Sequence, residues 1–286
     1  MVKICKLLYE ELLKNEIRGK VISVFSNSFN ILFDNKIITI LNSIGKIQPY
    51  SIATDTDLPK VKQNDEIVII NNGLYLDNNL LLSFEKIIIY YPFLYLNDFI
   101  DKKQIENNFY KAELYLEEKK DLSGIITILY SGYEITKGYE YIISDMKKWI
   151  DYCKNKQFKE LEKKSIEICG FGNGLTPSCD DFLAGVMLCV LAGEIYYGKN
   201  INIISEYFQN VVNKCQNKTN RISYMMLKNS SIGLCNEITK KLFQALFCNS
   251  YDLIKCIDEQ LKIGHCSGCD MLCGIICAYK YYLHLA

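Results

Sequence analysis

The chain has no excess of either charge and very little arginine. Its 286 residues carry 33 basic and 33 acidic side chains, and only Arg18 and Arg221 among the basic ones are arginines. A protein that binds a nucleic-acid backbone needs a positive balance of charge, so DNA or RNA is excluded as the main partner. The abundance of Lys, Asn, Ile and Tyr beside so little Arg indicates an AT-rich coding genome.

A long apolar run and the pattern of a secretion signal are also missing. The longest apolar run, residues 182–197, is shorter than a bilayer requires and contains Glu194, which predicts a buried core helix. Residues 1–20 mix Glu and Lys with apolar positions, which predicts an amphipathic helix and not a signal peptide. The 13 cysteines are odd in number, so we expect no disulfide framework and a protein of the reducing cytoplasm, away from membranes.

Four cysteines have a spacing close to that of an iron–sulfur ligand run. They are Cys266, Cys269, Cys273 and Cys277. No proline follows the last of them, and the last three fall four residues apart, so on a helix they form one stripe. A buried stripe of small, soft side chains needs no metal. We therefore predict no iron–sulfur cluster; bound iron in protein purified without oxygen would support the alternative.

The texture of the sequence changes near residue 96. Before it, short β-prone runs alternate with turn signals, which predicts a β-rich domain over residues 1–96, either barrel-like or an antiparallel sheet. The runs are 21–25, 31–33, 37–41, 67–70, 80–82 and 87–91. After it, apolar residues recur at helical spacing with charged outer faces, which predicts an all-helical domain over residues 97–286.

The fold class predicted from this change is α+β. The later helices are expected near 178–197, 201–216, 219–229, 232–248, 251–262 and 267–284. Because no low-complexity linker separates the two textures, we expect the β-rich domain to pack on the helical domain without a flexible connection.

The most informative feature is one eight-residue pattern that occurs twice. Residues 178–185 and 267–274 both read S-x-x-D-(apolar)-L-x-G. Each copy follows a segment that contains glycine and opens an apolar run of helical length, which predicts a loop that runs into a helix N-terminus. A Ser at the N-cap with an Asp three residues on would satisfy the free N–H groups of the first turn.

Glycine and polar residues around the two copies exceed what helix capping needs. They are Gly170, Gly172, Gly174, Thr176, the adjacent Asp180 and Asp181, and His265. Where a glycine-rich loop lets a ligand approach, the N–H groups of a helix N-terminus form an anion site. We therefore predict that loops 170–178 and 263–267 are adjacent and that both N-termini face one site. Two ordinary capped helices are the alternative.

Four segments of the chain resemble one protein family. Residues 170–185, GFGNGLTPSCDDFLAG, are similar to the G-x-G-x-G-L-T-P-S-G-D-D-F-L-x-G signature of the AllH-like subunit family of oxamate carbamoyltransferase. Residues 219–233 resemble its T-x-x-x-S-x-x-x-L segment and the glycine after it, and residues 264–274 resemble its G-H-x-S-G-x-D-x-L-x-G ending. Residues 45–52 resemble its N-terminal glycine-and-proline stretch. The chain departs from the pattern at Cys179, Cys269 and Cys273.

The resemblance implies a role in anaerobic allantoin breakdown. It implies a heteromeric enzyme that converts oxalurate and phosphate into oxamate and carbamoyl phosphate, with an FdrA-like subunit (AllF) and a third subunit, AllG, as partners. Carbamoyl transfer needs a site that holds phosphate and a small anionic amide, stabilises an oxyanion and moves a proton on the amide nitrogen. The alternative is a non-catalytic anion-binding or assembly subunit whose chemistry lies on a partner.

For this chemistry we expect His265, Asp181 and Asp270 to be the catalytic residues. His265 is the expected proton carrier because the unperturbed pKa of histidine lies nearest neutrality, although a helix-capping or core histidine is the alternative. The expected substrate- and anion-binding residues are Gly172, Gly174, Thr176, Ser178, Asp180, Arg221, Ser223, Ser267 and Gly268.

Two further sets of side chains have more than one interpretation. Arg221 has the planar fork that matches carboxylate or phosphate, but a lone Arg on a helix is also typical of a solvated surface. No cofactor is firmly expected, although Asp180, Asp181 and Asp270 could bind Mg²⁺, orient His265 or act as partners of the helix dipoles. The second histidine, His284, is expected at the surface.

Overall fold

The computed structural model describes residues 1–119, 121–130 and 132–283. Its β-rich N-terminal part and helical C-terminal part confirm the predicted α+β class. The chain divides into two units, Met1–Phe93 with Cys235–Glu237, and Leu94–Leu234 with Ile238–Ala286. His284 and the predicted end of the last helix lie outside the described residues.

Nine strands build the N-terminal unit. They are β1 (Val2–Cys5), β2 (Ile17–Val24), β3 (Ser28–Phe33), β4 (Lys36–Leu41), β5 (Ser51–Thr54), β6 (Glu66–Ile70), β7 (Gly73–Leu76), β8 (Asn79–Ser83) and β9 (Ile87–Tyr90). They form one sheet in the order β8-β7-β6-β2-β3-β4-β5-β1-β9, curled into a half-barrel. The pairings are antiparallel apart from β1 with β9 and β4 with β5. Each of the six predicted runs overlaps one of these strands.

The predicted N-terminal helix is partly wrong. Val2–Cys5 is a strand, and only Lys6–Leu12 is helical, as α1. Strand β1 pairs on both edges, with β5 and with β9, and Val2, Ile4 and Cys5 are buried. Hydrogen bonding on two sides and burial in the sheet therefore outweigh the helical spacing of the sequence. Strands β5 and β7 were also missed, because Ala53 weakens the β-prone pattern of the first and Gly73, where the second begins, belongs to a turn signal.

Ten helices follow in the described part of the chain. They are α2 (Lys102–Glu118), α3 (Ile126–Leu129), α4 (Ile143–Lys154), α5 (Phe158–Ile168), α6 (Ser178–Tyr196), α7 (Ile201–Lys214), α8 (Arg221–Ser231), α9 (Glu237–Cys248), α10 (Leu253–Leu261) and α11 (Ser267–Ala278), which a π-helical turn, Tyr279–Leu283, extends. The six helices predicted after residue 178 are confirmed. The largest shift is at the start of α9, because Gly233, with φ of 75°, precedes it in a turn.

Helices α6 and α11 carry the two motif copies and pack most extensively on each other. In α6, 15 of 19 residues are buried, and in α11, 11 of 12. A helix that is apolar on all sides is a core helix, so the prediction for residues 182–197 is confirmed. The described helices include none with the length and apolar character that crossing a membrane requires.

The last glycine of each motif copy sets how closely α6 and α11 approach. A Cβ on Gly185 would lie 2.1 Å from the carbonyl oxygen of Met271, and a Cβ on Gly274 would lie 2.0 Å from that of Phe182. Phe182 and Met271 hold the same position in the two copies. The copies therefore face each other reciprocally, with backbone against backbone at both glycines.

We expect Gly274→Ala to destabilise the helical unit by about 1–3 kcal/mol, because the added methyl overpacks the crossing. The loss should appear although alanine is the better helix former by about 1 kcal/mol. Urea unfolding followed by helical circular dichroism measures it. The control is Gly45→Ala, since a Cβ there meets nothing within 4 Å. A Gly274→Ala protein as stable as the wild type would contradict the close crossing.

Candidate functional site

The loops that precede α6 and α11 lie side by side, which confirms the predicted adjacency. Thr176 Oγ1 and Ser267 Oγ are 2.6 Å apart, and Ser178 Oγ is 3.6 Å from Cys266 Sγ. Both helix N-termini therefore meet in one group of side chains, which we call the paired-loop site. Its members are Tyr139, Thr176, Ser178, Asp181, Cys266, Ser267 and Asp270.

Glycines give the loop before α6 its shape. Gly170, Gly172 and Gly174 have φ of 85°, 110° and 103°, a region that residues with a Cβ rarely adopt. A Cβ on Gly172 would lie 2.5 Å from the backbone nitrogen of Ser178, so the loop folds back onto the start of the helix. Gly172 and Gly174, predicted as anion-binding residues, thus have a defined conformational role in this loop.

The prediction that Ser178 and Ser267 cap their helices is wrong. Each is the first residue within its helix, and the cap positions are held by Pro177 and Cys266, without a side-chain capping bond. The two hydroxyls bond across the site instead, since the helices cross closely enough for each serine to approach the other motif copy.

Loop carbonyls take the place of the expected caps. The N–H of Cys179 donates to the carbonyl of Phe171, and the N–H of Gly268 donates to that of Ile263, both at 3.0 Å. The N–H of Asp180 also donates, to the carbonyl of Pro177 at 2.9 Å. Two first-turn N–H groups of α6 and one of α11 are therefore already used, and an anion at either N-terminus would need the others. Gly268 also packs against α10, because a Cβ there would lie 1.8 Å from the carbonyl oxygen of Gln260.

Asp181 is bonded to both loops. Its Oδ2 accepts a hydrogen bond from Thr176 Oγ1 at 2.9 Å and another from Ser267 Oγ. Burial raises the pKa of Asp181 well above its usual value, although both hydroxyls lower it. The charges of Asp270 and Asp180 raise it further. This carboxyl group holds the two loops together.

Asp270 has the same position in the second copy, but its hydrogen bonding is incomplete. Its Oδ1 accepts the backbone N–H of Ile125 at 2.6 Å. Its Oδ2 is fully buried and has no hydrogen-bond partner of acceptable geometry among the described residues. Burial raises the pKa of Asp270 to about 6, although Ser178, Ile125 and Cys266 lower it. The Ser178 hydroxyl and the Cys266 thiol thus lie near this carboxylate without completing its bonding.

Tyr139 completes this side of the site and was not predicted. Its hydroxyl is 2.5 Å from Ser178 Oγ and 3.9 Å from Cys266 Sγ. Burial raises the pKa values of the Tyr139 hydroxyl and of the Cys266 thiol, the latter to about 11. Cys266 is the one cysteine of 13 that is not buried, so it marks where solvent reaches the group.

Asp180 connects the glycine loop to α8. Its Oδ1 accepts the N–H of Gly170 at 2.7 Å, and its Oδ2 accepts hydrogen bonds from Thr219 Oγ1 at 2.5 Å and Ser223 Oγ at 2.6 Å. Asp180 and Ser223, both predicted as binding residues, are therefore partners of each other. Their anion-binding role stays a prediction.

The remaining predicted residues lie outside the paired-loop site. Arg221 and His265 are exposed, and no hydrogen bond or ion pair joins their side chains to the site in the described part of the chain. Arg221 is nevertheless close in sequence to a contact with the glycine loop, because Asn220 Nδ2 donates to the carbonyl of Leu175 at 2.7 Å. His265 directly precedes Cys266.

The three aspartates do not converge as ligands of one ion. Each accepts hydrogen bonds from a different set of donors, and within residues 1–119, 121–130 and 132–283 no group of three His, Cys, Asp or Glu is placed to hold a metal. Magnesium binding stays a prediction. The predicted cysteine stripe is confirmed, since Cys269, Cys273 and Cys277 are all buried on α11. The expected lack of an iron–sulfur cluster also stays a prediction.

Two comparisons with protein families give matches. Residues 168–279 match the family described as oxamate carbamoyltransferase subunit AllH, and residues 1–89 match the AllH family N-terminal domain. Together they cover well over half of the chain and include both motif copies. Tyr139 lies between the two matched ranges. Searches of curated proteins and of solved structures gave no match.

The raised pKa of Asp270 predicts an effect of pH on stability. An unfolded aspartate has a pKa of about 3.9, so between about pH 4 and 6 the folded state keeps a proton that the unfolded chain releases. Stability should therefore fall by about 3 kcal/mol as the pH rises through this window. Asp270→Asn cannot ionise, so its stability relative to the wild type should rise by that amount. Unfolding at a series of pH values measures the difference.

A control of opposite sign is Asp258→Asn. Hydrogen bonds from Tyr115 and Lys119 lower the pKa of Asp258, so the wild-type carboxylate stabilises the fold above its ordinary pKa. Asp258→Asn should therefore lose stability relative to the wild type as the pH rises. If the free energy of unfolding changes with pH in the same way for the wild type and for Asp270→Asn, the fold does not disfavour ionisation of the Asp270 carboxyl group.

Proposed function

The chain belongs to the AllH family, and from that membership we propose that it is a subunit of a heteromeric enzyme that converts oxalurate and phosphate into oxamate and carbamoyl phosphate. The partners we propose are an FdrA-like subunit (AllF) and an AllG-like subunit, acting in cytoplasmic allantoin breakdown. The observation that carries the proposal is the match of residues 168–279, which include both motif copies, to the family of oxamate carbamoyltransferase subunit AllH.

The reaction sets clear demands on a site. A phosphate oxygen bonds to the ureido carbonyl carbon of oxalurate, and the bond from that carbon to the nitrogen of oxamate breaks. Phosphate loses one proton and the leaving nitrogen gains one, so the protons balance. A site therefore has to bind two anions, stabilise the oxyanion and carry this proton.

The paired-loop site, together with the exposed His265 and Arg221 outside it, has groups suited to these tasks. Ser178, Tyr139 and the remaining first-turn N–H groups of α6 and α11 are the donors we assign to the substrate. His265 is the proton carrier we propose, because it is exposed and adjoins Cys266 at the open side of the site. Asp181 is a positioning residue, since its bonds to Thr176 and Ser267 hold the loops. Arg221 is proposed to meet a carboxylate or phosphate.

A non-catalytic assembly subunit is the second candidate function. The observation that favours it is that much of the motif is used internally. Asp181 bonds to Thr176 and Ser267, and a loop carbonyl takes one N–H of each helix. A motif that served only to lock α6 to α11 would have the same contacts, and the chemistry would then lie on a partner.

We expect His265→Ala to lower turnover of the assembled complex by about a hundredfold, which is what a general acid–base group contributes at the low end. Phosphate affinity should stay nearly unchanged, because the anion donors remain. Asp181→Ala should weaken ligand binding as well as rate, because both loops lose their common acceptor. The measurements are carbamoyl phosphate formed from oxalurate and phosphate, and calorimetric titration with phosphate.

His284→Ala, which removes the only other histidine of the chain, is the control and should keep full turnover. The catalytic assignment is wrong if His265→Ala lowers the melting temperature but not the turnover per folded molecule. Full activity of the partner subunits without this chain would establish the assembly role instead.

A further inference from the structure

The two motif copies build two equivalent serine–aspartate pairs with different outcomes. In one pair, Ser267 donates to Asp181, whose Oδ2 also accepts from Thr176, so that oxygen has two donors. In the other, Ser178 Oγ lies 2.5 Å from the Tyr139 hydroxyl, and Asp270 Oδ2 has no hydrogen-bond partner within the part of the chain that the structure describes. The first pair is closed, and the second is open.

The acceptor in the open pair is the buried Oδ2 of Asp270, which lacks a donor among the described residues. Buried polar groups in native proteins nearly always have a hydrogen-bond partner, so an unpartnered one needs a specific explanation. Asp270 is fully buried, and its Oδ1 is fixed by the N–H of Ile125, which leaves Oδ2 for another group. A donor on a ligand would satisfy it.

The neighbouring hydroxyls supply the opposite function. Tyr139 and Ser178 have one O–H each, and their mutual hydrogen bond uses only one of the two. The other hydrogen has Cys266 Sγ within reach, 3.6 Å from Ser178 Oγ and 3.9 Å from the Tyr139 hydroxyl, and sulfur is a weak acceptor that a ligand oxygen can replace. The open pair therefore presents one donor and one carboxylate acceptor side by side. A ligand carboxylate has only acceptors and would meet the Asp270 charge, and an ammonium has only donors.

The fully buried carboxylate of Asp270 lies against backbone on one side and near the Cys266 thiol on the other. Gly124 has φ of 95°, and a Cβ there would lie 2.2 Å from Asp270 Oδ1 and 3.0 Å from Oδ2. A side chain at this position would therefore displace the carboxylate. The partly exposed Cys266, next to Ser178 and Tyr139, marks the side from which a small ligand enters.

We propose that Asp270, Ser178 and Tyr139 form a subsite for a primary amide group, in which Asp270 Oδ2 accepts an N–H and a hydroxyl of the other two donates to the carbonyl oxygen. The choice of ligand rests on the proposed function, because oxalurate and carbamoyl phosphate share the transferred –CO–NH₂ group, and oxamate carries a primary amide of its own on the leaving fragment. The subsite accepts a primary amide and excludes a carboxylate in its place.

The test compares oxamate with oxalate, which carries a carboxylate oxygen where oxamate has its amino group. We expect the full chain, alone or in the assembled complex, to bind oxamate at least about tenfold more tightly in calorimetric titrations, since one hydrogen bond to a charged group differs between them. Asp270→Asn replaces an acceptor by a donor, so it should abolish this preference or reverse it toward oxalate.

The matched control is Asp181→Asn at the equivalent position of the closed pair. It should leave the ratio of the two affinities unchanged, whatever it does to stability. If Asp270→Asn does not fold, Tyr139→Phe tests the donor side and should weaken oxamate binding by about tenfold. To locate the ligand, oxamate should slow alkylation of Cys266 by N-ethylmaleimide, measured by mass spectrometry, and oxalate should not.

Equal binding of oxamate and oxalate by the chain and by the complex would overturn the subsite. An equal shift of the ratio by Asp181→Asn and Asp270→Asn would overturn it as well. Failure of the proposed function looks different: the complex would make no carbamoyl phosphate while the oxamate preference and its loss in Asp270→Asn persist. Turnover with an unchanged preference in Asp270→Asn would refute the subsite alone.

Discussion

The contact on which the site depends is the backbone-to-backbone crossing of α6 and α11. Gly185 and Gly274 let each helix approach the carbonyl of the apolar residue that follows the aspartate of the other copy. Because these glycines lie four residues after the aspartates, about one helical turn, the first turns of both helices lie within hydrogen-bond reach of each other. Ser267 can therefore donate to Asp181 across the interface. A larger residue at either glycine would separate the helices and, with them, the two loops.

Helices α6 and α11 cross through equivalent residues, but the two motif copies do not have equivalent hydrogen bonds. The preceding loops and the residues that contact each copy differ. The loop before α6 contributes Thr176, which adds a second donor to Asp181. The partners near Asp270 come from elsewhere in the chain: a backbone N–H from Ile125 and a phenol from Tyr139 that engages Ser178. Both carboxyl groups are buried, and the charge of Asp270 further raises the pKa of Asp181, but among the described residues only Asp181 has hydrogen-bond donors for its Oδ2. The aspartate of the first copy, Asp181, thus joins the two loops, and that of the second, Asp270, has a buried acceptor oxygen that remains open.

Much of this fold could be predicted from the sequence, and the misses have physical causes. Apolar runs of helical length located α6 and α11, and apolar periodicity located the helices between them, because a helix with one buried face keeps a strong local pattern. Capping was misread because Ser followed by Asp at the third position is the signature of a capping box and also of a pair that bonds across two helices. Tyr139 and Ile125 could not be found, since their partners Ser178 and Asp270 are 39 and 145 residues away and no local pattern links them.

The distribution of charge in the site agrees with a chain that works as one subunit among several. None of the seven side chains of the paired-loop site is basic, and two of them are buried carboxyl groups. A phosphate placed among them would be repelled by carboxylate charge, because the protein interior screens charges poorly. The helix N-termini contribute only partial positive charges. Arg221 is exposed on α8 and lies outside the paired-loop site. Its neighbour in sequence, Asn220, donates to the loop before α6. A site with this composition is suited to the uncharged amide end of a substrate, and the phosphate end then needs cations from Arg221 or from another surface.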